Sequence, residues 1–181
     1  MANIDLTRVP AWYHKYIEKV SENDLMTAFR KYQPEMIAEL KNIPAEKWDF
    51  SYAPGKWTIK EVVQHIIDAE RIFNYRALAF ARKDGTSLPG FDENLYADNS
   101  KASKRTRDEL LNEFLAVQSS SYLLFASFDE DQLEQEGIAN GNTVYVKGIG
   151  FIVVGHALHH LAVLKERYLP AMLELKGEVS I

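Results

Sequence analysis

Two stretches of this chain open with the same four-residue pattern. Thr58-Ile59-Lys60-Glu61 and Thr106-Arg107-Asp108-Glu109 each set a threonine three residues ahead of a glutamate. In that capping box the hydroxyl accepts from the glutamate amide and the carboxylate reaches back to the threonine amide, closing two orphan donors of a helix start. An apolar repeat of helical period follows each box, so both segments are committed to helix. The first is predicted to run to about Lys83, where Asp84-Gly85 stops it, after a turn at Pro54-Gly55-Lys56. The second is predicted to reach about Phe128, with Leu111, Leu115, Tyr122 and Phe125 on one stripe and Leu110, Phe114, Val117 and Leu124 beside it.

Two further helices flank these. From Glu22 to Asn42, Leu25, Phe29, Met36, Ile37 and Leu40 fall mostly at helical spacings, with Pro34 predicting a kink or break and Asn42-Ile43-Pro44 an end. The last helix is expected from Val146 to Leu169, with Pro170 just past it. Gly148, Gly150 and Gly155 weaken it by roughly 1 kcal/mol each relative to alanine, a cost that close packing of helix backbones would justify. Asp84 to Arg105 reads as a long loop, of a length that tends to be functional or mobile. Asp129 to Glu136 reads as a short helical turn, and Asn140-Gly141 as the turn of a small hairpin within Gly137–Tyr145. The expectation is an all-α single domain over residues 1–181, a four-helix bundle with long connections; a globin-like helical fold is the alternative.

Composition narrows the function. The 181 residues include 21 basic and 26 acidic side chains, a net charge of −5, and no basic block, which argues against nucleic acid as a partner. With no cysteine, the chain has no disulfide, no thiolate nucleophile and no Cys-rich zinc site. Met1–Asp5 lacks the basic and apolar regions of a signal peptide. The longest uncharged apolar stretch, Gly148–Leu164, contains three histidines and three glycines and reads as too short and too polar to span a membrane. A cytoplasmic protein is expected.

Of five histidines, three fall within five residues: His156, His159 and His160. His156 and His160 lie about 40° apart around a helix and one turn along it, so both imidazoles can reach one cation. His65 lies on an apolar face of the second helix and can point into the same core, where three neutral imidazoles need water or a metal as partner. Three histidines with an open fourth position are the pattern of a catalytic zinc centre, and imidazole also suits nickel. His159 is an alternative ligand; His14, in an aromatic stretch, reads as structural. Asp68, three residues after His65, is the candidate catalytic residue, either orienting an imidazole or accepting a proton. Glu70 is less well aimed, and Trp48 and Trp57 read as packing at the bundle end.

These segments resemble the DinB/YfiT-like family of metalloenzymes. The matching stretches are Pro54–Glu61 (PGKWTIKE), His65–Glu70, Leu88-Pro89-Gly90-Phe91-Asp92 and Gly155–His160, within a resemblance that covers roughly residues 20 to 170. Their combination is specific, whereas each piece alone is not. The resemblance implies a bundle of non-sequential, right-handed connectivity and a divalent metal held at His65, His156 and His160. Similar sequences often carry Ser or Thr where Tyr145 stands, so the last helix is expected to be capped differently. Characterised relatives are thiol-dependent S-transferases and isomerases, and others are assigned only as hydrolases. The implied cofactors are therefore zinc or nickel and a low-molecular-weight thiol, which this cysteine-free chain would take from outside. The expected activity is a metal-dependent S-transferase or hydrolase acting on a small-molecule substrate; the alternative is a non-catalytic metal- or small-molecule-binding helical module.

Relatives of this kind are often dimeric, and a homodimer is expected here too. Phe73, Tyr75 and Phe80 ring the second helix, and Leu161, Leu164 and Tyr168 extend the fourth beyond the histidines. A helix apolar over much of its circumference must be buried on more than one side. In a monomer the loop from Asp84 to Arg105 and the stretch Trp12 to Ile17 would have to cover that surface.

Overall fold

The computed structural model describes residues 4–172; the first three residues of the Met1–Asp5 stretch lie outside them. In chain order its elements are α1 (His14–Ile17), α2 (Leu25–Asn42), α3 (Ile59–Ala81), α4 (Glu93–Asn99), α5 (Arg107–Ala126) and α6 (Glu130–Leu133). An antiparallel hairpin, β1 (Glu136–Ala139) and β2 (Asn142–Tyr145), leads into α7 (Val146–Val163). Both threonine caps close reciprocally. Thr58 N donates to Glu61 Oε2 at 2.7 Å while Glu61 N donates to Thr58 Oγ1 at 3.3 Å, and Thr106 and Glu109 repeat the exchange at 2.7 and 3.2 Å. Asn140 and Gly141 turn the hairpin with φ of 51° and 72°, the left-handed pair that a tight hairpin turn requires.

α2, α3, α5 and α7 form the four-helix bundle. α3 packs against α5 and α7, and α2 packs against the same two. Helices consecutive along the chain, α2 with α3 and α5 with α7, therefore sit across the diagonals, which is why the connections are long. The core runs through the middle, with Met36, Leu40, Ile59, Ile67, Phe114, Phe151 and Val154 all at 1% exposure or less. α7 is its most enclosed helix, packed by α1, α2 and α3.

Several expectations change. α2 passes Pro34 unbroken; the proline is exposed, so the carbonyl it leaves unpaired faces water. The last helix also continues beyond its proline, to Met172. A wide π-turn over Leu164–Tyr168 precedes Pro170, with Leu169 N bonding back five residues to Leu164 O, and takes up the space the ring demands. Val146–Met172 is thus long and apolar enough by composition to cross a membrane, against the shorter stretch read from sequence, yet 67% of its most apolar window is buried in the bundle. The long loop after α3 contains α4, capped by Asp92 through Asn94 N and Leu95 N. Its start is stitched to the hairpin, with Leu88 N donating to Ile138 O and Asn140 N to Leu88 O.

Of the three α7 glycines, only Gly155 meets backbone: a Cβ there would stand 2.2 Å from Tyr16 O. Gly148 and Gly150 face side chains instead. Tyr145 caps α7 without a side-chain bond to it, its hydroxyl accepting from Asp5 N at 2.9 Å. His14 is structural: one ring nitrogen, Nε2, faces both Leu6 O and Val9 O and so must carry the proton. Phe73, Phe80, Leu161, Leu164 and Tyr168 are all buried within the single chain, whereas Tyr75 is 58% exposed.

Candidate metal centre

α3 and α7 pack side by side, and their facing turns carry the histidines. His156 Nε2 lies 3.1 Å from His65 Nε2 and 3.1 Å from His160 Nε2, and the three ligand atoms all fall within 4.8 Å of one another. Two imidazole nitrogens on one tetrahedral zinc, each about 2.0–2.1 Å from it, stand about 3.3 Å apart. The spacing therefore suits one shared ion. A lone His156 Nε2 cannot satisfy two nitrogens with one proton, whereas a cation would use all three lone pairs.

The rings are kept neutral, as ligation requires. Burial lowers the His65 pKa to about 4, and Glu93 only partly offsets it. Burial, then the charges of the neighbouring imidazoles, pushes His156 and His160 well below the usual histidine value. Aromatic neighbours fix the ring planes: Trp57 sits 4.9 Å from His65, Tyr16 5.4 Å and Phe73 5.8 Å from His156. Tyr16 reaches His156 because α1 crosses α7 at Gly155, where no side chain holds the backbones apart.

The triad forms the floor of a cavity of about 330 Å³. Trp12, Tyr13 and Tyr16 wall one side, Trp57 and Phe73 another, and Gly90, Phe91 and Glu93 come from the segment leading into α4. Lys15, Arg76 and Glu93 are its charged residues.

The structure brings together His65, His156 and His160 and excludes the alternative. His159 is half-buried with its ring on Tyr16, 5.0 Å away, outside the converging set. Asp68 is not aimed at an imidazole. Its Oδ1 accepts from Gln64 Nε2 at 3.0 Å, and the residue lines a separate cleft between α3 and α4 with Arg71, Leu95 and Tyr96. Three residues along a helix is about −60° around the axis, enough to turn Asp68 onto the flank facing Gln64 and Arg71. Burial raises the Asp68 pKa, against the hydrogen bond from Gln64. Glu70 turns further still, into the interface of α3 with α2 and α5. Trp48 is fully buried as packing, but Trp57 is part of the site.

Two site residues escaped the sequence reading. Glu93 carried no signal, since its place depends on a helix hidden in the apparent loop. Arg76 had one: eleven residues beyond His65 it falls about 20° from it on the same face, roughly 16 Å along the axis.

Diagonal wiring with three histidines converging at the base of a pocket defines a helical bundle with a metal-competent centre. The chain belongs to the DinB superfamily, which it matches over residues 28–164. Among solved structures it is similar to YfiT from Bacillus subtilis, described as a probable metal-dependent hydrolase with an unusual four-helix bundle topology. That alignment has a TM-score of 0.68 and 15% identity over 78% of this chain and 82% of YfiT. It is also similar to a mycothiol-dependent maleylpyruvate isomerase, with a TM-score of 0.60 and 15% identity over 83% of this chain and 60% of that one. Such identities show the shared fold. Among curated proteins no sequence matches the chain.

Proposed function

We propose that this protein is a metal-dependent enzyme acting on a small molecule in the cavity above the triad, as a hydrolase or as an S-transferase that uses a low-molecular-weight thiol. The observation that carries the reading is the convergence of three neutral imidazole nitrogens at the floor of an open, aromatic-walled cavity. His65, His156 and His160 would hold zinc or nickel. When bound, such an ion supplies Lewis acidity and lowers the pKa of a water or thiol placed against it.

The remaining work belongs to the chain. Trp57, Phe73 and Tyr16 keep the ligand rings in place and exclude bulk water. Glu93 is the sole carboxylate among the cavity-lining residues, and it takes the proton-accepting role for which the sequence had suggested Asp68. The names of the two similar structures, one a metal-dependent hydrolase and one thiol-dependent, support both branches of the reading. A cytoplasmic location accords with a bundle in which the one membrane-length helix among the described residues is mostly buried.

The test is metal analysis of the purified protein, followed by ester and amide hydrolysis and thiol-conjugation panels on the zinc- and nickel-loaded forms. Stoichiometric binding with turnover in one panel is expected. Stoichiometric binding with no turnover in either would leave a binding module, and no binding would end the reading.

A further inference from the structure

Arg76 is 5% exposed, yet among the described residues no carboxylate lies within ion-pair distance of it. Its one hydrogen bond runs from Nη2 to the Pro89 carbonyl at 2.9 Å. The other arginines nearby behave differently: Arg71 and Arg105 both grip Glu113. A guanidinium carries five donors and a permanent charge, so one carbonyl leaves donors free. No Arg76 nitrogen is among the buried unpartnered atoms of the described residues, so the free donors face open space. A guanidinium held in place with free donors and no carboxylate partner is what an anion-binding position offers.

The position fits that role. Arg76 lines the same cavity as the three histidines. Phe73 stands between them, its ring 5.8 Å from the His156 ring and 5.9 Å from the Arg76 guanidinium carbon. A molecule lying along Phe73 would thus have the triad at one end and a fork of N–H donors at the other. Aromatic walls favour a flat apolar body, and the fork matches a planar two-oxygen acceptor. One guanidinium balances the single charge of a carboxylate; a phosphate dianion would leave its second charge to the exposed Lys15 at the rim.

We propose that Arg76 is the anion-binding residue of this cavity and that the substrate is a carboxylate carried on a flat apolar skeleton. The assignment deepens the metal-enzyme reading, since it takes the triad as the reacting end. It can nevertheless fail or succeed independently, because Arg76 remains in place when metal is removed.

The test is calorimetric titration of 3-phenylpropionate, 3-phenylpropionamide and phenyl phosphate into zinc-loaded and chelator-treated protein. The chelated wild type should bind the acid about tenfold or more tightly than the amide, with no advantage for the phosphate. Arg76→Gln keeps a donor for the Pro89 carbonyl; it should fold with a thermal midpoint close to that of the wild type and lose the preference. Arg76→Lys should keep part of it. If Arg76→Gln does not fold, Arg76→Met, which removes the buried charge at similar length, replaces it. Equal binding of acid and amide, no binding of either, tighter binding of the phosphate, or a preference that persists without Arg76 would each overturn the proposal. An acid preference in protein that takes up no zinc would uphold Arg76 and remove the metal reading; zinc uptake without the preference would do the reverse.

Discussion

Single side chains set the chemistry of this bundle, and two buried sets pull its stability in opposite directions with pH. Glu70 is 2% exposed, and burial raises its pKa to about 7 against hydrogen bonds from Ser121 and Tyr32 that favour the carboxylate. Ser121 Oγ stands 2.5 Å from Glu70 Oε1, 2.9 Å from Val117 O and 2.7 Å from Asn74 Nδ2. Ser121 thus accepts from Asn74 and can donate to Glu70 Oε1, while Glu70 Oε2 is buried with no hydrogen-bond partner among the described residues. A folded pKa above the unfolded 4.5 means that the native state holds an extra proton between about pH 4.5 and 7. Its stabilisation is therefore present at low pH and lost as pH rises through 7, by roughly 3 kcal/mol in all. The histidines act in the opposite sense: with His65 at about 4 folded and 6.5 unfolded, stability is lost as pH falls from 6.5 towards 4. Urea denaturation of chelated wild type and Glu70→Gln across pH 5–8 separates the two, since only Glu70 differs. The variant should gain on the wild type by about 2–3 kcal/mol as pH rises, and parallel curves would show an ordinary carboxylate there. His160→Ala should weaken zinc binding on the order of 100-fold or more. Its helical circular dichroism should match that of the wild type with or without chelator, because the core is built from apolar contacts away from the triad; loss of helix on chelation would make the metal structural.

Among the elements, α1 is a single turn, yet it carries Tyr16 onto His156 and His159 and walls the cavity. Its seat is Gly155. Gly155→Ala would gain about 1 kcal/mol of helix propensity, but its methyl would lie 2.2 Å from Tyr16 O, and backbone cannot step aside as a side-chain tip can. A net loss of about 1–2 kcal/mol is expected, with faster proteolysis between residues 4 and 24 as α1 lifts; unchanged thermal midpoint and digestion would show that α1 is not seated there. Legibility followed the range of the forces involved. α3 and α5 were readable because a capping box is a contact over three residues, and the His156–His160 pair because one helix turn sets its spacing. α4 was not, because it forms where Asp92 caps a segment tied to the hairpin through Leu88. Nor was passage through Pro170, which depends on a π-turn. Asp68 was the converse error: a helix places residue i+3 near residue i, but the packing partner decides which flank faces the site. Arg76 shows what periodicity held and was not used, a charge three turns from His65 on its own face.

At the scale of the whole molecule, diagonal wiring sends each long connection over the end or side of the bundle, where it covers apolar surface. This is why five of the six residues expected to require a second copy are buried within one chain. Tyr75 is the exception, and it has company. Leu78 lies three residues on, and Leu95 and Tyr96 of α4 are 58% and 45% exposed. Ile72 lines the groove with Tyr75 and Tyr96 on one side and the cleft with Leu95 and Tyr96 on the other, so this apolar surface is continuous across α3 and α4. We propose that the homodimer forms here, two copies meeting about a two-fold axis so that each Tyr75 packs on the partner's face. Light scattering at micromolar concentration should then give twice the 20.7 kDa of the chain. Tyr75→Asp combined with Tyr96→Asp should return it to 20.7 kDa without loss of helix, since both side chains are exposed. A wild type already at the single-chain mass would show that burial within the chain suffices, and a dimer that survives both charges would place the contact on another face.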